Sequence, residues 1–318
     1  MKILITGGAG FIGSHVCEAL SEHETCIYDN FNDYYNPKFK RDNVKDFKHL
    51  IVEADIRDAN ALESCFVKHS FDAVIHLAAS AGVRPSIENA MGYIDVNING
   101  TMQILEAMKR HDVKKLVFAS SSSVYGGNTK VPFSENDIVD RPISPYAATK
   151  KAGELLCHTY SHLYGISIAC LRFFTVYGPR QRPDLAIYKF AAKMCAGETL
   201  PFYGDGTMGR DFTYIDDIVS GILLALDWVC RSDKQFEVFN LGESEPISLN
   251  DMVAALEKVF GLTAVLDRLP VPPGDVDLTW ADVSKAAQIL GYNPSTPFEQ
   301  GLKKFADWFN ANRRGGNS

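Results

Sequence analysis

Met1-Lys2-Ile3-Leu4-Ile5-Thr6-Gly7-Gly8-Ala9-Gly10-Phe11-Ile12-Gly13 opens the chain, and its reading decides the fold class. A short apolar run stops at glycines, and His15, Val16, Ala19 and Leu20 then follow at helical spacing. A glycine fingerprint carries meaning only in such a strand–turn–helix setting. Gly7 can turn where a side chain would clash, Gly10 lets backbone approach a pyrophosphate, and Gly13 permits close packing of helix on strand. The phosphates would lie on the free N–H groups of the helix start, at Phe11, Ile12 and Gly13, at the positive end of its dipole. The spacing reads Gly-x-x-Gly-x-x-Gly, and Gly8, Gly10 and Gly13 also satisfy Gly-x-Gly-x-x-Gly.

Working outward, a second apolar run, Thr25 to Tyr28, ends at Asp29 with Asn30 beside it. An acid at the tip of the second strand can accept the adenosine ribose hydroxyls and would repel a 2′-phosphate, which argues for NAD over NADP. Asp55 and Ile56, after the run Leu50–Ala54, are placed for the adenine end. The run Ala73–Ala79 brings a fourth strand, with Leu77, Ala78 and Ala79 under the cofactor.

Tyr146 and Lys150 stand in Ser144-Pro145-Tyr146-Ala147-Ala148-Thr149-Lys150. Four residues apart on a helix, they emerge on one face. Ser144 is a natural N-cap and Pro145 a natural first helical residue. A phenol loses its proton near pH 10, so it is a poor base until a neighbouring ammonium, or the positive ring of an oxidised nicotinamide, stabilises the phenolate. So stabilised, Tyr146 could take a proton from a substrate hydroxyl.

At 318 residues the chain can form one large domain or two unequal ones. No window approaches the roughly 20 uninterrupted apolar residues of a membrane span. The first strand begins at Lys2, which leaves no room for a signal peptide. Seven cysteines lie scattered without metal-type spacing, so no metal is expected and reduced thiols in the cytoplasm fit best. The net charge of −7 disfavours nucleic acid as a partner.

Strand and helix signals alternate to about residue 173, which predicts an α/β, doubly wound parallel sheet. The polar stretch 30–46 reads as a loop, Ile94–Lys109 as a helix, Lys115–Ala119 as a buried strand, Ala147–Leu163 as a helix and Ile166–Phe174 as a strand. Beyond them prolines punctuate shorter elements, with helices near Ile215–Trp228 and at Leu249–Phe260. A dinucleotide-binding domain over 1–174 and a smaller, loop-rich, mainly substrate-binding region over 175–318, with segments returning to the first, is the expected division. Arg313–Ser318 reads as a frayed tail.

The chain resembles the extended short-chain dehydrogenase/reductases of the nucleotide-sugar epimerase type over nearly its whole length. The resemblance rests on Gly7–Gly13, Asp29, Asp55-Ile56, His76-Leu77-Ala78-Ala79, Asn97, the serines before Val124-Tyr125-Gly126, Tyr146 with Lys150, and Arg172–Pro183. It implies that Ser121 hydrogen-bonds the reacting hydroxyl, Tyr146 is the base, Lys150 holds charge and the nicotinamide ribose, and Asn97 bonds near a tightly held, recycled NAD. Leu171 to Asp184 is similar to UDP-glucuronate 4-epimerases; UDP-glucose 4-epimerases usually carry Asn where this chain has Thr175. A carboxylate on the sugar wants a fork of donors and a positive charge, and the resemblance offers Arg182, Thr175, Ser122 and Ser123, with Arg84 nearby. UDP-glucuronate decarboxylases typically carry Glu in the position of Ser123. Gly204–Tyr214 resembles the nucleotide-binding segment: Arg210 would meet the diphosphate, Leu200–Tyr203 would flank the uracil, and Asp275 would hold the uridine ribose. The implied reaction is 4-epimerisation of a UDP-sugar, UDP-glucuronate to UDP-galacturonate first. A UDP-glucose or UDP-N-acetylhexosamine 4-epimerase, or a decarboxylase, stands as the alternative. Family analogy also implies a homodimer through helices at about 90–109 and 147–163. A dead-site NAD-binding scaffold would need Ser121, Tyr146 or Lys150 to be missing, and all three are present.

Overall fold

Ile3, Leu4 and Ile5 are wholly buried, which only the middle of a sheet covered on both faces allows. In the computed structural model, which describes residues 1–231, 233–271 and 276–314, they belong to a central strand. The strands are β1 (Lys2–Thr6), β2 (Glu24–Asp29), β3 (Leu50–Glu53), β4 (Ala73–His76), β5 (Lys115–Ser121), β6 (Ser167–Phe173), β7 (Thr175–Tyr177), β8 (Leu200–Tyr203), β9 (Gly209–Tyr214), β10 (Phe236–Leu241), β11 (Pro246–Ser248) and β12 (Leu266–Leu269). Seven of them form a parallel sheet in the order β10-β6-β5-β4-β1-β2-β3. The doubly wound architecture expected from the alternation of signals is thus the one found.

The first six helices are α1 (Phe11–Ala19), α2 (Pro37–Val44), α3 (Ala59–His69), α4 (Val83–Glu88), α5 (Ala90–Ile94) and α6 (Thr101–Arg110). Then come α7 (Pro145–Tyr164), α8 (Ala186–Ala196), α9 (Ile215–Arg231), α10 (Leu249–Phe260), α11 (Ser284–Leu290) and α12 (Phe298–Arg314). Because side chains alternate across a strand, Ile3 and Ile5 join a core with Val16 of α1 and Ile218 of α9. Leu4 faces the opposite core, with Leu62 of α3, Ile104 of α6 and Cys157 of α7.

The chain winds outward from β1 to β2 on one side and to β4 on the other. Strand order therefore reverses between β1 and β4, and in such sheets a crevice opens at the carboxyl ends there. Thr175 and Val176 of β7 and Arg210 of β9 line its far wall; these strands belong to a three-stranded sheet, β11-β9-β7, and β12 and β8 form a separate two-stranded one.

Three local expectations need correction. The stretch 30–46 is not all loop: Pro37 starts α2, and Asn36 caps it by accepting a bond from the Lys38 N–H. The helix read over Ile94–Lys109 is really α5, a π-helical segment Asp95–Gly100, and α6. Hydrophobic periodicity does not report the looser winding of one turn. Arg313 and Arg314, read as part of a frayed tail, belong to α12, and 315–318 lie outside the described residues.

Candidate active site

The first turn positions everything else. Gly7 has φ +70°, and a Cβ there would come within 2.8 Å of the Ala78 nitrogen on β4's exit loop. A Cβ on Gly13 would lie 2.2 Å from the Gly7 carbonyl oxygen. The two glycines let β1, α1 and the Leu77–Ala79 loop converge. Gly10, the N-cap of α1, has no side chain to cap with, so the N–H groups of the first helical turn stay open to the crevice.

That crevice is a cleft of about 830 Å³. It runs from Gly7, Gly10, Phe11, Ile12 and Gly13 past Asp29, Asn30, Asp55 and Ile56 at one end. At the other end Leu77, Ala78, Ala79, Ser121, Ser122, Ser123, Tyr146, Lys150, Thr175, Arg182 and Arg210 line it. Residues read from widely separated stretches of sequence are brought to one cavity.

At the ribose end, Asp29 accepts the Ala9 N–H at 3.1 Å and the Phe31 N–H at 2.9 Å. Burial nevertheless raises its pKa above the usual carboxylate value. Asp55 accepts from Asn30 and from the Arg57 guanidinium, which holds its pKa down to about 2. Lys40, which sequence reading missed, is buried in the same wall; its ammonium donates to the Asn32 carbonyl and side-chain oxygens at 3.0 and 2.8 Å. Burial lowers its pKa, and Asp29 opposes that. One lysine within a polar stretch gives no periodic signal that could have singled it out.

At the chemical end, Ser144 accepts the Ala147 N–H and Ser86 the Tyr146 N–H, so the start of α7 is doubly capped and the Tyr146 ring is set into the cleft. Burial raises the pKa of the phenol above its ordinary value, opposed by a hydrogen bond with the Ser121 hydroxyl and by the charge of Arg182. Lys150, read as the partner of this phenol together with an oxidised nicotinamide, lies on the same face of α7. Its ammonium donates to the Ala119 carbonyl at 2.7 Å, stands 6.0 Å from the Tyr146 ring centre, and is itself pushed down to about 8 by burial.

Asn97 is buried and stands behind the cleft. Its amide accepts the Ser80 N–H and donates to the Ser80 carbonyl and the Thr149 hydroxyl. It lies in the π-helical segment, a kind of irregularity often found at functional sites. It therefore shapes the wall through Ser80.

On the far side, the Ser123 hydroxyl is buried without a hydrogen-bond partner. Arg182 reaches the cleft, but its Nε and Nη2 already donate to the two Asp184 oxygens at 2.9 and 2.7 Å. Arg84 and Tyr203 are not among the cleft-lining residues; the Arg84 guanidinium lies 5.1 Å from the Tyr203 ring centre. Asp275 falls outside the described residues. Among the described residues no His, Cys, Asp or Glu cluster could hold a metal. No helix among them is long and apolar enough to cross a membrane.

Beneath the site runs a buried polar chain. Glu154, one turn beyond Lys150, accepts from Ser120 at 2.7 Å and from the Arg172 fork at 2.8 and 2.9 Å. Arg172 continues to the Tyr125 hydroxyl, which donates to Asn240 of β10. This chain ties α7, β5, β6 and β10 together directly under Ser121 and Tyr146.

Residues 3–242, with this cleft at their centre, match the NAD dependent epimerase/dehydratase family. The chain belongs to that family. Within it, UDP-glucuronate 4-epimerase 3 of Arabidopsis thaliana is 46% identical over 99% of this chain and 78% of the plant protein. The crystal structure of the UDP-glucuronic acid 4-epimerase from Bacillus cereus with UDP-glucuronic acid and NAD is 39% identical, covers 98% of this chain and 99% of its own, and superposes with a TM-score of 0.90. A tyrosine-to-phenylalanine mutant of that bacterial enzyme, in complex with UDP-4-deoxy-4-fluoro-glucuronic acid and NAD, gives 0.91 at 38% identity over 98% and 99% of the two chains.

Proposed function

We propose that the protein is an NAD-dependent UDP-sugar 4-epimerase whose substrate is UDP-glucuronate and whose product is UDP-galacturonate. The observation that carries this reading is the convergence of Ser121, Tyr146 and Lys150 with Arg182, Thr175 and the unpartnered Ser123 hydroxyl in one cleft that begins at a glycine cradle. The cradle fits NAD: side chains at Gly7 and Gly13 would collide with backbone, and open N–H groups face the place a pyrophosphate would take. Gly10, Phe11, Ile12 and Gly13 would hold the phosphates. Asp29, Asn30 and Lys40 would hold the adenosine ribose, Asp55 and Ile56 the adenine, and Leu77–Ala79 the nicotinamide side. Bound there, NAD would supply the hydride acceptor and donor that inversion at sugar C4 needs.

Tyr146 takes the proton of the 4-hydroxyl through or beside Ser121 and returns it after the keto sugar has turned over. Burial keeps the phenol protonated in the protein alone, so its ionisation depends on positive charge brought close to it. Lys150 holds the nicotinamide ribose. Arg182, Thr175, Ser122 and Ser123 take the carboxylate and fix its angle to the ring; a β-keto acid loses CO2 when its carboxylate lies perpendicular to the ketone, so this is orientation control. Arg210 takes the diphosphate and Tyr203 the uracil, while Arg84 supports Tyr203. The nucleotide sugar is held mainly by residues 175–318, with Phe236–Leu241 returned to the dinucleotide domain. All seven cysteines are free, which fits a cytoplasmic enzyme. The protein works as a homodimer through α5–α6 and α7, where Met91, Leu155 and Leu163 stand exposed at 74, 57 and 60%.

Purified protein incubated with UDP-glucuronate and no added cofactor should yield UDP-galacturonate, separable by chromatography. Tyr146→Phe should retain fold and NAD content and lose turnover by at least about a thousandfold. Near-normal turnover in that variant excludes Tyr146 as the base, and a UDP-pentose as the product would make the enzyme a decarboxylase.

A further inference from the structure

Arg182 is held from two directions that no step of the reaction requires. Asp184, two residues on, grips its Nε and Nη2 at 2.9 and 2.7 Å as a fork against a fork. Tyr34, from the loop between β2 and α2, lays its ring against the guanidinium, 5.5 Å from ring centre to Cζ. Tyr34 is itself anchored across the cleft. Its hydroxyl hydrogen-bonds that of Tyr93, and a Cβ on Gly82 would come within 3.4 Å of the same oxygen. Tyr93 in turn donates to the Ala81 carbonyl at 2.8 Å and packs edge-on against the ring of Tyr146, 6.2 Å between centres. One face of the guanidinium and one edge are thereby spent. The edge left is Nη1 together with the second N–H of Nη2.

We propose that Tyr34 and Asp184 are specificity-positioning residues, which lock Arg182 so that this single edge meets the carboxylate of an acidic sugar. The inference rests on the reading of Arg182 as the carboxylate's partner. An unrestrained arginine would have to lose rotamer freedom for each substrate bound; a clamped one has lost it on folding. Asp184 also screens the charge, so the clamp favours one geometry of the carboxylate over mere attraction of an anion. Both residues act through Arg182, so the UDP half of the substrate should not sense their loss.

The test is steady-state kinetics with UDP-glucuronate, alongside the inhibition constant of UDP, on wild type, Asp184→Asn, Tyr34→Leu, Tyr34→Phe and Arg182→Leu. Asp184→Asn and Tyr34→Leu should each lower kcat/KM by about tenfold while leaving UDP inhibition within twofold. Tyr34→Phe keeps the ring that faces the guanidinium and should recover most of the rate, an outcome that loss of fold could not give. If Asp184→Asn and Tyr34→Leu stay within twofold of wild type while Arg182→Leu loses kcat/KM, the clamp is wrong and the carboxylate assignment stands. If Arg182→Leu also leaves kcat/KM unchanged, or wild type does not turn over UDP-glucuronate, both are wrong.

Discussion

Lys150 shows how a residue of the proposed site is kept at a cost to stability. Its ammonium is buried, and burial moves its pKa from the ordinary 10.5 to about 8, which corresponds to about 3 kcal/mol of charge burial opposing the fold. Below about pH 8 both folded and unfolded chains carry the proton and the full penalty applies. Between 8 and 10.5 the unfolded chain binds more protons than the folded one, so the penalty shrinks as pH rises. Lys150→Met should therefore raise the urea midpoint at pH 7, less the contribution of the bond to the Ala119 carbonyl, while abolishing turnover. The gain should fade from pH 8 to 10.5 in parallel titrations; a gain independent of pH would mean that buried charge is not its source. The same residue marks the reach of sequence reading. Four-residue spacing put Tyr146 and Lys150 on one face, yet only the folded chain reveals that the ammonium turns to Ala119 and that burial raises the pKa of the phenol.

At the level of elements, α7 holds its register through Glu154. Arg172 and Glu154 are each 2% exposed and bonded through both carboxylate oxygens. Glu154→Ala leaves a buried guanidinium uncompensated and should cost about 3–5 kcal/mol in urea unfolding. Glu154→Met with Arg172→Met, which removes both charges, should recover much of that. A loss below about 1 kcal/mol for the single change would show that the pair does not hold the helix. The existence of α9 and α10 was legible from periodicity, and that of α7 also from Ser144 and Pro145 at its start: Leu249–Phe260 is the helix expected, residue for residue. The π-helical turn at Asp95–Gly100 and the α2 helix were not legible. Wide winding leaves no periodic trace, and α2 is too polar to show an apolar stripe.

For the whole molecule, the exposed apolar side chains of α5 and α7 bear on assembly. Leu155 and Leu163 lie eight residues apart on one helix, and at 57 and 60% exposure they find little cover among the described residues. If a second copy covers them, Leu155→Glu with Leu163→Glu should convert a dimer to a monomer in sedimentation equilibrium, with the chain still folded. A wild type already sedimenting as a monomer removes the proposed assembly.

Glycine spacing, an acid at a strand tip and alternating periodicity determined by themselves a parallel doubly wound sheet with a dinucleotide crevice, because these are local constraints on backbone and a residue meets them or fails within a few positions. The direction in which each charge points was decided only by tertiary structure. Arg182 sits clamped between Asp184 and Tyr34, Asn97 reaches Ser80 from behind the wall, and Lys40 is buried beside Asp29. Each of these depends on contacts between segments far apart in sequence, and on how much water burial removes, neither of which any window of the chain contains.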